Sequence, residues 1–402
     1  MKKFFHLGIF VLCVFMTSVF IMTSCSNHSH KWSDWEITKD PTCTEKGARE
    51  RKCDCGETEK ETISLMEHIQ CEWVTITQST KYESGELYLI CHACKTILDT
   101  KVIPSGSTGL SYLENDTGYT VTGIGTCTDT DIVIPEKYND KSVTAISEKA
   151  FMGNGDILSI EIPNTVISIG SYAFANCSNL TKVTLPCNLT EIQENLFYQC
   201  VNLKDITIPD TVTFIGGSAF RECRSLKEMI IPGGVTEINA DTFWNCTDLT
   251  KVTILDGVKY IRAEVFAYCT GLKSVTIPDS VTYIGWGAFA FCYNLTDIKL
   301  PKGVTTIIDQ TFWDCYSIET FVIPEGVTNV EYKAFLNCKS LKSVTIPKTV
   351  KSFGESPFED CTNLMNVTYN GTKEEWNSIE GKDLVVLPQG CIVKCTNGNI
   401  QY

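Results

Sequence analysis

The residues able to do chemistry form two sets with different spacing rules. Six cysteines fall between positions 43 and 94, and all five histidines of the chain lie before position 93. A further nine cysteines, at 177, 200, 223, 246, 269, 292, 315, 338 and 361, recur every 23 residues. In the first set, His68-x-x-Cys71 with Cys91-x-x-Cys94 has the ligand count and knuckle spacing of a tetrahedral zinc site. A looser group precedes it: His30 (or His28), Cys43, Cys53 and Cys55, in which Cys-x-Cys bites more tightly than Cys-x-x-Cys. The two groups are tandem copies. His30 precedes Trp35 by five residues as His68 precedes Trp73, and Gly47 precedes Cys53 by six as Gly85 precedes Cys91. Disulfides are the alternative, because exported thiols meet oxidising surroundings. A four-ligand zinc leaves no open position for substrate, so zinc within 28–94 would be structural. Modules this small cannot bury a core of their own and need a clip of one kind or the other.

Nothing in the spacing points to catalysis. Histidine is absent after position 92, which removes a Ser-His-Asp or Cys-His arrangement from the rest of the chain. Carboxylates such as Glu191 and Glu237, or Asp314 and Asp360, share no register that would hold a pair together. The glycines follow the repeat rather than a phosphate loop. We therefore expect no enzyme and no catalytic cofactor. The net charge of −14 repels phosphate backbones, which argues against nucleic acid as a partner.

The nine thiols are positioned by a repeat, and internal periodicity governs how the chain is read. One copy runs Ile208, Pro209, Val212, Ile215, Gly216, Ala219, Phe220, Cys223, Leu226, Met229, and the next begins at Ile231. Phenylalanines three residues before the cysteines form a parallel ladder from Phe151 to Phe358, giving ten copies without insertion. A single copy has too little apolar surface to offset the entropy of ordering it, so copies must stack and share hydrogen-bond ladders. Val183-Thr184-Leu185 alternates inward and outward as a strand does. Proline follows in eight copies, from Pro163 to Pro347, and cannot continue a ladder. A second short strand, Val-x-x-Ile, leads to a column holding Gly170, Gly216, Gly285 and Gly354, with Asn239. A tight corner is expected there because these residues tolerate positive φ. Gln193, Arg262, Ile308 and Glu331 share the column, so glycine is not strictly required. Ala-Phe-x-x-Cys-x-x-Leu has the apolar spacing of a single helical turn. The expected fold is mainly β with short helical turns: a right-handed solenoid of about ten 23-residue repeats, preceded by small Cys/His-clipped modules.

The cysteine column itself is expected to be inert. Rungs about 4.8 Å apart could permit disulfides, but nine is odd and every thiol has two equivalent neighbours, so no pairing is specified. Buried, unpaired thiols filling a small niche are the simpler account. Cys187, whose column otherwise holds polar residues, should be exposed. Cys391 and Cys395 are too far apart to pair if extended.

Two surface features could serve recognition. Outward residues of the first strand are mostly threonine, interrupted by Ile230 and Val322. Tyr198, Trp244, Tyr268, Phe291, Tyr293, Trp313 and Tyr316 cluster around the Phe-x-x-Cys segment with Trp286 nearby, in columns that also hold Asn176, Glu222, Asp314 and Lys339. Exposed Trp and Tyr are favoured at binding hot spots, although the rings could equally shield neighbouring rungs.

The Ile-Pro-x-x-Val-x-x-Ile-Gly-x-x-Ala-Phe-x-x-Cys-x-x-Leu-x-x-Val signature resembles the BspA-type leucine-rich repeat family of bacterial surface proteins, over about 290 of the 402 residues. Leu110 to Pro135 looks like that family's approach to the array and Asn370 to Trp376 like its exit. The resemblance implies a surface-anchored, adhesin-like binding protein that presents its solenoid to protein partners on host or neighbouring cells. Glycan capture by the aromatic ridge and a passive envelope spacer are the alternatives.

Met1-Lys2-Lys3, an apolar stretch from Phe4 to Met22, and Thr23-Ser24-Cys25 make a secretory signal that resembles a lipoprotein box with Cys25 lipidated. Ordinary secretion and an uncleaved anchor are the other readings. No other apolar run approaches the roughly 18 residues of a membrane span, so membrane contact should come only through the N-terminal lipid. The expected organisation is a signal at 1–24, modules at 25–66 and 67–105, the second including a linker, and the array with its caps at 106–402. The chain is expected to be exported to the cell surface or outer membrane.

Overall fold

A computed structural model describes residues 31–43, 45–65, 71–77, 85–91, 94–103 and 106–402. The chain folds as two units, Met1–Ser105 and Gly106–Tyr402. Among the described residues no helix is long and apolar enough to cross a membrane.

The first unit consists of two three-stranded antiparallel sheets. Glu36–Lys39, Gly47–Lys52 and Thr58–Ile63 form one. Cys71–Thr77, Gly85–Cys91 and Ile97–Ile103 form the other. Little apolar surface is available in the first sheet, and charged stacking takes its place. The Arg51 guanidinium lies 4.7 Å from the Trp35 ring and 5.1 Å from Trp32, and Arg49 lies 4.7 Å from Trp35. Glu59 and Glu61, on the neighbouring strand, hold these arginines in ion pairs.

The second unit is a solenoid with one continuous apolar core from Leu110 to Val393. Its first strands stack in parallel register, as in Glu228–Ile231 on Lys251–Ile254, with Val252 opposite Met229 and Val275. The second strands form a parallel ladder of their own, as in Ile192, Ile215, Ile238, Ile261 and Ile284. Twelve turns are stacked, two more than the regular repeat supplies. The extra rungs are Asp131–Val133 at the leading end and Ile392–Cys395 at the trailing end.

Two expectations about the repeat are corrected. The Ala-Phe-x-x-Cys segment is not a helical turn but a run of hydrogen-bonded turns. Alternate amides close locally (Ala175 to the Tyr172 carbonyl, Cys177 to that of Phe174), while the others reach the next rung (Phe174 to Leu196, Asn176 to Tyr198). The backbone is thus satisfied between rungs, as in a sheet, and a helix would forfeit those bonds. The corner glycines, in turn, do not adopt positive φ. At Gly216 a Cβ would lie 2.4 Å from the backbone nitrogen of Glu194, so the need is for close approach. Left-handed backbone falls instead two residues beyond the corner, from Tyr172 to Ser356 at φ between 50° and 58°, and again on the residue before each cysteine, from Asn176 to Asp360, at φ between 57° and 62°.

Both ends are closed. At the leading end Ser111–Asn115 pairs antiparallel with Gly118–Gly123, which joins the parallel ladder through Lys141–Ile146. At the trailing end Thr372 caps the helix Lys373–Asn377 in a reciprocal box with Glu375. That helix drives Trp376 fully into the core against Phe353 and Tyr369.

Candidate functional site

The interior of the array is a stack of rings and thiols. The ten phenylalanines from Phe151 to Phe358 are fully buried, with successive centroids 5.1–5.7 Å apart. Beside them every one of the nine column thiols donates to the carbonyl of the phenylalanine one rung back. Cys177 Sγ lies 3.1 Å from the Phe151 oxygen, Cys246 3.2 Å from that of Phe220, and Cys361 3.1 Å from that of Phe335. The thiols are buried and unbridged, as expected, but they are more than filler. They give each buried Phe carbonyl a second donor beside the turn amide, a role that repeat spacing alone does not reveal. Burial pushes the thiols from Cys177 to Cys338 upward, to about 12 for Cys177 and Cys269, which removes the thiolate that reactivity requires. Cys187 is exposed.

The aromatic residues singled out by spacing converge on the outside of the same segment. Trp244 packs on Tyr268 at 5.0 Å, Tyr268 stacks on Phe291 at 4.2 Å, and Phe291 meets Trp313 at 4.5 Å. A second row branches from Phe291 through Tyr293 to Tyr316, whose rings stack at 4.9 Å and 4°. Tyr198 and Trp286 take no part in these ring contacts, and Trp286 stands 43% exposed. A cation closes each end of the plate. The Arg221 guanidinium sits 3.9 Å from the Trp244 ring, and the Lys339 ammonium 4.9 Å from that of Tyr316. Sequence reasoning missed both roles, yet the signal was present: Arg221 is 23 residues before Trp244 and Lys339 is 23 after Tyr316, so each is one rung along its column.

Polar groups brace the plate from beneath. Tyr316 donates to the buried Asp314 carboxylate at 3.0 Å, and Asn337 Nδ2 donates to the same carboxylate at 2.6 Å. Arg221 pairs with Asp241 at 3.0 Å. Burial and the nearby Asp241 carboxylate hold Glu264 above its usual value. Tyr268 and Phe291 also occupy the left-handed column, with φ of 61°. Five of the nine rungs place Asn or Asp there, residues that tolerate this backbone more readily. Bulky rings at two central rungs stand against the local backbone preference, and such strain tends to persist at functional positions.

Two depressions on the array are open and small, about 200 Å3 beside Tyr283 and Thr306 and about 270 Å3 beside Cys127 and Asp129. Ligand-enclosing sites usually run from about 300 Å3 upward. On the sheet face Ile230 and Val322 are exposed, at 60% and 68%.

The module cysteines are regrouped by the structure. Cys43, expected with Cys53 and Cys55, instead lies with Cys91 and Cys94, their sulfurs within 4.8 Å of one another. Cys43 and Cys91 are buried and 3.6 Å apart. Cys53 and Cys55 contact each other. His28, His30, His68 and Cys25 lie outside the described residues, as does the side chain of Cys71.

Stacked strand–corner–strand–turn rungs with an aromatic outer plate define a leucine-rich-repeat solenoid. Residues 144–273 and 259–379 match the BspA type leucine rich repeat region in six copies. The match spans more than half of the chain, which therefore belongs to this family. A leucine-rich repeat protein of T. pallidum is 30% identical over 46% of this chain and 88% of its own, with a TM-score of 0.45. A leucine-rich cell surface protein from Faecalibacterium prausnitzii is 27% identical over 68% of this chain and 96% of its own (TM-score 0.38). The pneumococcal vaccine antigen PcpA is 18% identical over 83% and 98%, with a TM-score of 0.43. No curated protein matches the chain.

Proposed function

We propose that the chain is an exported, lipid-anchored, non-catalytic binding protein, adhesin-like in action. Its array presents the aromatic plate to an extracellular protein of a host or neighbouring bacterial cell. The observation that carries this reading is the plate itself: six rings in continuous contact over four rungs, closed by Arg221 and Lys339. Trp, Tyr and Arg together are the residue types that dominate protein hot spots.

Ring orientation favours protein over glycan. A sugar packs on a free ring face, whereas Phe291 has Tyr268 on one side and Trp313 on the other. Such rings offer edges and a ridge, which suit a protein surface. The absence of histidine beyond position 92 and the shallow relief of the array support a non-catalytic role. The family's usual setting at the cell surface supports export, with Cys25 as the lipid attachment and the membrane reached through that lipid alone.

The test is binding of the full chain to immobilised extracellular matrix proteins and to a glycan array, beside a Trp244→Ala/Trp313→Ala variant. Saturable binding to a matrix protein, reduced at least tenfold in a variant with unchanged melting, is expected. Binding confined to glycans, or equal binding by the variant, would overturn the reading. No binding by either would leave the spacer.

A further inference from the structure

We propose that Cys43, Cys91 and Cys94 are ligands of one structural zinc ion that ties the first cysteine module to the second. The geometry separates metal from disulfide. A disulfide brings two sulfurs to about 2.05 Å. Tetrahedral zinc with bonds of about 2.3 Å sets its thiolates about 3.8 Å apart. Cys43 and Cys91 stand 3.6 Å apart, and all three sulfurs lie within 4.8 Å of one another. Three mutually adjacent thiols also exceed what one disulfide can use.

The backbone around Cys94 is shaped for the task. Cys91 ends a strand, and the Lys95 amide closes a tight turn onto its carbonyl at 2.8 Å, with Lys95 at φ 60°. Within that turn the amide and hydroxyl of Thr96 donate to the Cys94 sulfur. Amide donation to a thiolate is the outer-shell support that metal ligands receive. Cys43 arrives from the loop between Glu36–Lys39 and Gly47–Lys52 and is buried on reaching the pair. Zinc is the favoured ion, being redox-inert and at home in sulfur-rich tetrahedral sites.

Linking the modules distinguishes this site from one held within each. Cys53 and Cys55 carry a similar knuckle, with the Glu57 amide donating to Cys55, but no third candidate ligand gathers with them among the described residues. The experiment is zinc analysis of the full chain purified under reducing conditions, with single variants. About one zinc per chain is expected for the wild type. Cys43→Ser should reduce this at least tenfold, and Cys53→Ser/Cys55→Ser should leave it unchanged. Cys43→His should restore the metal and alter the visible spectrum of the cobalt-substituted protein, which guards against loss by misfolding. Zinc retained in Cys43→Ser, zinc lost in Cys53→Ser/Cys55→Ser, or a metal-free wild type would each overturn the proposal.

Discussion

Cys246 and Cys43 are both buried thiols within hydrogen-bonding distance of a partner, and they illustrate opposite uses of one residue type. Cys246 sits in the solenoid, donates to the Phe220 carbonyl, and is held protonated chiefly by burial. Cys43 sits in the modules among other thiols and is held protonated chiefly by Cys94. Burial in an apolar stack cannot be relieved without opening the rung, whereas Cys43 is held first by a hydrogen bond to a neighbouring thiol. The array uses cysteine as a small hydrogen-bond donor. The modules gather it with other thiols, the grouping on which the proposed zinc site rests. A 23-residue column and a knuckle are therefore different statements about chemistry, although both are written in cysteine.

Alkaline titration should separate the two most strongly. The thiols from Cys177 to Cys338 have folded values above the ordinary 9.0. Below about pH 9 both states are protonated and the native contribution is intact. Above it the unfolded chain releases protons that the native chain retains, so stability falls by up to about 1.4 kcal/mol per thiol per pH unit. The loss should continue towards pH 12, the value reached by Cys177 and Cys269. Urea midpoints of the array should therefore drop steeply from pH 9 upward. Replacing three column cysteines by alanine should flatten the slope, and an unchanged slope would show that the thiols are not protected by burial.

Phe243→Ala ranks next. It opens a cavity between Phe220 and Phe266, whose centroids lie 5.3 and 5.6 Å from that of Phe243, and should destabilise by about 3–5 kcal/mol. Because rungs stack in one dimension, the array should unfold from that point, giving two transitions in denaturant where the parent gives one. Cys246→Ala should cost less, about 1–2 kcal/mol. It removes a hydrogen bond and a small volume but leaves the Phe220 carbonyl its turn amide. A loss as large as that of Phe243→Ala would mean that the thiol ladder, not the ring stack, organises the core.

Much of the solenoid was legible because repetition converts spacing into register. A residue 23 positions away is one rung away, so the Phe ladder, the buried thiols, the exposed Ile230 and Val322 and the gathering of Trp244, Tyr268, Phe291 and Trp313 could be read from columns. The errors came where an apolar pattern fits two backbones. Apolar spacings of one, three and three suit a helical turn, but equally suit stacked β-turns with a left-handed residue before the cysteine. The abundance of Asn and Asp at that position was the missed signal. The modules were less legible because two tandem units permit ligands to cross between them. Sequence distance favours Cys43 with Cys53, while the loop carries it to Cys91.

The smallest expected effect is the most discriminating for the plate. Tyr268→Asn places in the left-handed column a residue that tolerates positive φ, gaining roughly 1 kcal/mol of backbone relief. It also forfeits the ring contacts with Trp244 and Phe291, worth about 0.5–1.5 kcal/mol each. The two nearly cancel, so melting should shift by no more than about 1–2 kcal/mol equivalent, while binding through the plate should fall at least tenfold. If Tyr268 instead serves only to shield its neighbours, the order reverses: stability falls by several kcal/mol and binding is retained. Calorimetry and binding on the same sample distinguish a ring kept for a partner from one kept for the fold.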